Sequence, residues 1–159
     1  MSVAFTKEQD AEAAAADLPD RPISPHPTLV TTEGLVALDA ALAQARAAWT
    51  AARSQEGIDA DRTAMARATR DLKYYAARRA SARLLTPNPD RDVVQFGAAV
   101  TFERPDGRRQ TFRIVGEDEA DPANGSVSHI SPLAQALLGK PVGETAMLAG
   151  QEVEILSIR

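Results

Sequence analysis

A proline-rich break, Thr86-Pro87-Asn88-Pro89, divides the chain into two halves whose apolar residues follow different periods. Before the break, apolar residues recur at intervals of three and four, the spacing of a helix that buries one stripe. After the break, polar and apolar residues alternate, which is the period of a strand that buries one face. Because proline ends helices and cannot donate to a β-ladder, the sequence predicts an α+β fold in which helices precede a sheet.

The first half predicts two helices that form an antiparallel coiled-coil hairpin. Thr31 or Thr32 is positioned to cap the first helix, and a second helix is expected over about residues 60–85. The intervening segment 54–59, SQEGID, contains Gly57 and interrupts the pattern. The seam residues expected in the two helices are Leu35, Leu38, Leu42, Ala45 and Trp49, and then Met65, Ala68, Leu72, Tyr75 and Ala82.

The second half predicts an antiparallel sheet covered by one short helix. Ser131 is a favourable N-cap, Pro132 suits the first helical position, and Gly139 suits a left-handed C-cap, so a helix is expected over 132–138. The turn residues Pro105-Asp106-Gly107 predict a hairpin. The expected strands are Val93–Phe96, Ala98–Glu103, Gln110–Val115, Ser126–Ile130, Thr145–Leu148 and Glu152–Ile158.

Composition and charge divide the chain further. The 159 residues carry a net charge of −4 and no cysteine, which excludes disulfides and Cys-ligated zinc. No apolar run approaches the roughly 20 residues of a membrane helix, so a cytoplasmic protein that binds no metal of its own is expected. The predicted organisation is an acidic, proline-rich disordered extension over 1–28, a helical hairpin over 29–87 and a sheet domain over 92–159.

The predicted second helix is strongly basic: between positions 62 and 83 it carries seven cations and one acidic residue, Asp71. A solvated helix face is one interpretation, and the acidic N-terminal residues would also fit across it. The other interpretation is contact with nucleic acid or with an acidic channel wall, because clustered cations bind phosphates. The residues proposed for such a contact are Arg67, Arg70 and Lys73.

The stretch from Val115 to Glu144, VGEDEADPANGSVSHISPLAQALLGKPVGE, places an acidic turn, a Ser-Pro helix start and a Gly-Lys exit in a recognisable order. It resembles the C-terminal domain of the bacterial GreA/GreB transcription elongation factors. The resemblance implies an FKBP-like fold for the sheet domain and docking on RNA polymerase near the channel through which nucleotides enter. By this resemblance the polymerase-binding residues are Asp118, Glu119, Asp121, Ser131 and Pro132.

The predicted hairpin tip departs from the family. Cleavage-stimulating Gre factors present a segment like GDxxENAEY, whose acids help hold a second Mg²⁺ at the polymerase active site. With Ala60-Asp61 aligned to the family's Ala-acidic pair, the two functional acids fall on Gln55 and Ile58. In a second register Glu56 and Asp59 replace them. The tip acids Glu56, Asp59 and Asp61 are therefore the residues that would approach the active site.

These observations predict a regulator that occupies the polymerase channel and modulates elongation, without enzymatic activity or a cofactor of its own. The arm is also about one heptad shorter than in the family.

The first alternative is a cleavage-stimulating factor, for which Mg²⁺ would matter only at the polymerase active site. The second is an FKBP-like prolyl isomerase or an unrelated binding module, although the domain offers only Phe96, Phe102 and Phe112 for a proline pocket. RNA polymerase is the expected partner, with indirect contact to RNA or DNA and no membrane.

Overall fold

The computed structural model describes residues 18–55 and 62–159 and divides the chain into two compact units. One unit holds the described part of residues 1–25 together with Leu38–Ser81, and the other holds His26–Ala37 together with Ala82–Arg159. Residues 26–37 thus cluster with the sheet domain, although the sequence analysis assigned residues 29–37 to the hairpin. Within the described residues, no helix is long and apolar enough to cross a membrane.

The helices are α1, Thr32–Ser54, and α2, Arg62–Ser81. The part of α1 from Leu38 packs on α2 along the predicted seam, where Leu38, Leu42, Ala45 and Ala68 are buried. Asp39 near the start of α1 pairs with Arg79 near the end of α2, so the two helices are antiparallel. The coiled-coil expectation is confirmed, and alanine at the seam lets the two backbones approach closely.

Helix α2 ends at Ser81, four residues earlier than predicted. Residues Arg83–Leu84 form strand β2, which pairs in parallel with strand β1, Leu29–Val30. The Arg83 N–H donates to the Thr28 carbonyl at 2.8 Å, and the Leu85 N–H donates to the Val30 carbonyl at 3.1 Å. These long-range backbone hydrogen bonds take the place of the i to i−4 bonds that would have continued α2. The local periodicity of the sequence did not reveal them.

The main sheet has five strands in the order β5-β4-β3-β7-β6. Its strands are β3 Ala99–Glu103, β4 Arg109–Val115, β5 Ser126–Ser128, β6 Thr145–Leu148 and β7 Gln151–Ile158. The two predicted hairpins are present, β3–β4 and β6–β7. The purely antiparallel sheet was a wrong prediction, because β5 pairs in parallel with β4. The chain crosses over between these strands through residues 116–125, which include a 3-10 helix at Pro122–Asn124.

The short helix α3, Pro132–Leu137, covers this sheet and completes its core. Phe102, Ile114, Leu137 and Ile155 are fully buried together. The predicted strand Val93–Phe96 is absent, and Val93 makes only an isolated bridge with Pro141. Backbone bonds from Val94 to the α3 exit, at Gly139 and Lys140, occupy this segment instead.

Candidate functional site

The acidic loop, residues 116–125, follows β4 and was predicted to bind a partner. Its backbone turns twice, with Glu119 and Ala120 donating to the Gly116 carbonyl and Asn124 donating to the Asp121 carbonyl. The Asp121 carboxylate accepts from the Asn124 side chain at 2.6 Å, and the Asp121 N–H donates to the Ser126 hydroxyl at 2.9 Å. Such local bonds explain why Asp and Asn occupy this turn. The loop has a defined shape and leaves Asp118 and Asp121 exposed.

Glu119 is the member of the loop that faces inward. Its carboxylate accepts a hydrogen bond from the Thr31 hydroxyl, with oxygen distances of 2.7 and 2.9 Å. The Thr31 hydroxyl in turn accepts the N–H of Gly34 at 3.0 Å, so Thr31 rather than Thr32 is the N-cap of α1. A carboxylate beside a helix N-terminus is favoured by the helix dipole. Glu119 is therefore half-buried, whereas Asp118 and Asp121 are exposed.

Two glycines allow this close approach. A Cβ at Gly34 would lie 2.4 Å from Glu119 Oε2, and a Cβ at Gly116 would lie 2.2 Å from the Leu29 carbonyl oxygen. Glycine is thus required at position 116, where the obstacle is backbone, whereas at position 34 the end of the Glu119 side chain is able to move. Arg113 adds an ion pair with Glu33 at 3.3 Å. The pKa of Glu33 is lowered, first by its own backbone hydrogen bond and then by the Arg113 charge.

Ser131 and Pro132 form the start of α3 as predicted. The Ser131 hydroxyl accepts the N–H of Ala134 at 3.2 Å, and Pro132 is exposed at the first turn. Gln135 donates to the His129 carbonyl at 2.7 Å and ties the helix start to the preceding segment. Ser131 therefore has a structural role as a cap, while Pro132 is open to a partner.

Helix α2 presents its cations unevenly. Arg67 is exposed, Arg70 is half-buried, and Lys73 pairs with Asp20 at 3.3 Å. Arg70 Nε is buried and has no hydrogen-bond partner among the residues the structure describes. Arg78, one of the seven cations of the predicted helix, is only 1% exposed. One cation of α2 is therefore buried, and the number of charged residues in the helix sequence does not show which ones are buried.

The N-terminal strap, residues 18–25, lies along α2 and was not singled out as a site by the sequence. Arg21 donates to Asp71 at 3.2 Å, and its guanidinium sits 3.8 Å above the centre of the Tyr74 ring. The pKa of Arg21 is raised, chiefly by a hydrogen bond with Tyr75. No local signal marks Arg21 as a contact residue, because its partners lie about fifty positions away.

The described residues contain no group of three or more potential ligands that would hold a metal ion. A cleft of about 470 Å³ lies between residues 87–98, the Pro141–Val142 segment and the residues Ile158 and Arg159, and no aromatic side chain lines it. Phe96 and Phe102 are buried in the core and are not available for a proline-binding pocket. The predicted tip residues Glu56, Asp59 and Asp61 lie outside the described residues.

Comparison with known proteins identifies relatives for the sheet domain. Residues 88–159 match the family model described as "Transcription elongation factor, GreA/GreB, C-term". The chain is 40% identical over 94 residues to transcription elongation factor GreA of Desulfovibrio desulfuricans, covering 58% of each protein. It is 47% identical over 77 residues to GreA of Geobacillus kaustophilus, covering 45% of this chain and 48% of the relative. The chain thus spans about half the length of the relatives it matches.

The structural comparison also returned partial matches. GreA factor homolog 1 of Thermus thermophilus has 21% sequence identity and a TM-score of 0.40, with 84% of this chain and 99% of that chain covered. The GreA/GreB factor from Nitrosomonas europaea has 17% identity and a TM-score of 0.39, with 84% and 98% covered.

Proposed function

We propose that this chain is a GreA/GreB-type regulator of transcription elongation that binds RNA polymerase, on the basis of the family match over its C-terminal domain. In this proposal the sheet domain, with an FKBP-like fold, docks on the polymerase. The helical hairpin enters the secondary channel and modulates elongation, without stimulating transcript cleavage. The chain itself is not a catalyst and acts in the bacterial cytoplasm, where the polymerase is found.

The observation that carries the docking proposal is the family match over residues 88–159 together with the geometry of the acidic loop. Asp118 and Asp121 are exposed on a turn whose shape is held by its own hydrogen bonds. Exposed charges on a preorganised loop favour electrostatic recognition, because little conformational entropy is lost on binding. Pro132 is exposed at the start of α3 and is a further candidate contact.

The absence of cleavage stimulation is proposed from the tip sequence. A carboxylate must lie about 2.0 to 2.1 Å from Mg²⁺ to act as a ligand. In the register that aligns Ala60-Asp61 with the family, the two functional positions hold Gln55 and Ile58, and neither side chain carries a carboxylate. A tip of this kind occupies space in the channel without adding metal ligands.

The length of the helices supports the same conclusion. The part of α1 that clusters with α2, residues 38–54, spans about 25 Å at a rise of about 1.5 Å per residue. The preceding residues of α1, up to Ala37, belong to the unit that contains the sheet. An arm about one heptad shorter than the family's would keep its tip about 10 Å farther from the catalytic metal.

A cleavage-stimulating factor remains the alternative, since Glu56 and Asp59 stand three residues apart and would supply carboxylates in a second register. Mg²⁺ would then be bound at the polymerase active site and not by this chain alone. A prolyl isomerase is disfavoured because the aromatic residues Phe96 and Phe102 fill the core.

The test is a transcript-cleavage assay on stalled elongation complexes, with a GreA relative as the positive control. The expected result is that this chain leaves stalled transcripts intact, yet in excess reduces the cleavage that GreA stimulates. Shortening of transcripts by this chain at catalytic amounts would establish the cleavage-stimulating alternative. Failure to compete with GreA, together with no binding to core polymerase, would refute a polymerase-binding function altogether.

A further inference from the structure

The N-terminal strap, residues 18–25, is held against α2 by two side chains of opposite charge. Asp20 accepts from Lys73 at 3.3 Å, and Arg21 donates to Asp71, the only acidic residue in α2, at 3.2 Å. The Arg21 guanidinium also lies over the Tyr74 ring, which adds a cation–π contact. Each of the two charged side chains of the strap therefore pairs with an opposite charge on α2.

The strap borders an open groove on α2. Leu18 and Asp20 form one side of this groove, which has a volume of about 400 Å³. The α2 residues that line it repeat at helical spacing and so share one face: Arg62, Met65, Ala66, Thr69, Arg70 and Lys73. Among the described residues, no carboxylate forms an ion pair with Arg62 or Arg70, and Arg70 Nε is buried without a hydrogen-bond partner. The groove is thus cationic and only partly neutralised by Asp20.

The Asp20–Lys73 contact of the strap is easily exchanged. The side chains of Lys73 and Asp20 are 61% and 70% exposed, and ion pairs as exposed as this contribute little and are screened by salt. Prolines at positions 19, 22 and 25 restrict the strap to extended conformations. The strap therefore loses less conformational entropy when it binds to α2. Residues 26–31 join it to α1, so its effective concentration at the helix is high. Weak contacts therefore suffice to keep it in place, and a multivalent anion is able to displace it.

We propose that the N-terminal strap is an intramolecular cover of the cationic groove on α2, and that the phosphate backbone of a nucleic acid competes with it. Asp20 occupies the position beside Lys73 that a phosphate would take. The cover therefore lowers the affinity of the arm for nucleic acid until a phosphate backbone displaces it.

The decisive variant is Arg21→Gln in the full chain. It removes a positive charge from the protein and leaves Asp71 unpaired, so charge counting alone predicts weaker binding to a polyanion. If the variant instead releases the strap from the groove, its binding to the polyanion becomes tighter. Arg46→Gln is the matched control, because Arg46 is exposed on α1, has no ion pair among the described residues and does not line the groove.

The experiment measures the dissociation constant for a fluorescein-labelled single-stranded RNA oligonucleotide by anisotropy, at fixed low salt and without polymerase. Asp20→Asn is expected to bind about threefold more tightly than the wild-type chain, the effect of losing one exposed contact. Arg21→Gln is expected to bind at least as tightly as Asp20→Asn, because Arg21 contacts Asp71, Tyr74 and Tyr75. Arg46→Gln is expected to bind equally or slightly more weakly. Weaker binding by Arg21→Gln, similar to that of Arg46→Gln, would overturn the proposal, as would no binding by any form.

In a second experiment, a covalent cross-link holds the strap against α2. The natural chain has no cysteine, so the variant Leu18→Cys/Ala66→Cys has two thiols, both at residues that line the groove. Joining them with a short bifunctional maleimide is expected to weaken RNA binding relative to the same variant treated with a monofunctional maleimide. Equal affinity of the two samples, or no intramolecular cross-link, would contradict the cover. Because polymerase is absent, either outcome is independent of the proposed function.

Discussion

The Thr31 hydroxyl donates to the Glu119 carboxylate, 2.7 Å from Oε2, while it accepts the N–H of Gly34 at 3.0 Å. One side chain thus caps helix α1 and binds the acidic loop 88 positions away in sequence. The same contact explains why Glu119 is half-buried, while Asp118 and Asp121 in the same loop are exposed. It links the start of α1 to the sheet domain within one compact unit.

Replacing Thr31 with Val is expected to lower the free energy of unfolding by about 1 to 2 kcal/mol, because it removes a helix cap and a hydrogen bond to a charged group. Thr31→Ser keeps the hydroxyl and is the matched control, with a loss well below that of Thr31→Val. Urea unfolding followed by circular dichroism measures both. Equal losses for the two variants would show that the methyl group, and not the hydroxyl, stabilises this site.

Gly116→Ala is expected to destabilise the protein by about 1 to 3 kcal/mol, the usual cost of overpacking. The new Cβ would meet the Leu29 carbonyl at 2.2 Å, and a backbone atom in a strand cannot move aside cheaply. At Gly34 the obstacle is the end of the flexible Glu119 side chain, so Gly34→Ala should cost less. Thermal unfolding compares the two variants. A Gly116→Ala protein as stable as Gly34→Ala would contradict the close approach.

Glu33→Gln is expected to reduce the stability of the protein at neutral pH but not in acid. The pKa of Glu33 is lowered below its ordinary value of 4.5 in the folded state, so its ionised form stabilises the fold above that pH. This contribution is lost as the pH falls from 4.5 through the folded pKa. Melting temperatures of wild type and variant should converge there. Arg113→Gln should remove only part of the effect, because the backbone hydrogen bond of Glu33 is the larger cause.

Asp118→Asn and Asp121→Asn are expected to weaken binding to core RNA polymerase about threefold to tenfold each, since charges at an interface rim act through electrostatic steering. Asparagine preserves the shape of both side chains, so the fold should be unaffected. Asp106→Asn, on the exposed turn between β3 and β4, is the matched control and should bind like wild type. Biolayer interferometry at two salt concentrations measures the three affinities. Unchanged affinity for both loop variants would place the docking surface elsewhere.

Glu56→Ala, Asp59→Ala and Asp61→Ala are expected to leave polymerase binding nearly intact. In the proposed function these residues have no cleavage activity to lose, and effects on elongation come from occupation of the channel. Binding and run-off transcription assays with each variant test this. If wild type cleaves stalled transcripts and Glu56→Ala or Asp59→Ala abolishes that cleavage, the second register of the tip is correct.

Much of the local structure followed from the sequence because short-range physics specifies it. The seam of Leu38, Leu42 and Ala45 was predicted from spacing and is buried. The Ser131 cap and the left-handed Gly139, at φ +82°, follow from side-chain and backbone preferences that act over a few residues. The resemblance of residues 115–144 to the GreA/GreB C-terminal domain was also readable, and the family match confirms it.

The features that depend on distant partners were decided only by the tertiary structure. The early end of α2 depends on β1, the parallel pairing of β5 depends on a crossover, and the burial of Arg78 depends on what packs around the helix. Each involves residues far apart in sequence, whose pairing is determined by packing and backbone hydrogen bonding and not by local propensity. The sequence by itself determined the kinds of element and the resemblance of residues 115–144 to the GreA/GreB C-terminal domain; the tertiary structure decided that Glu119 binds Thr31 and that Arg21 holds the strap against α2.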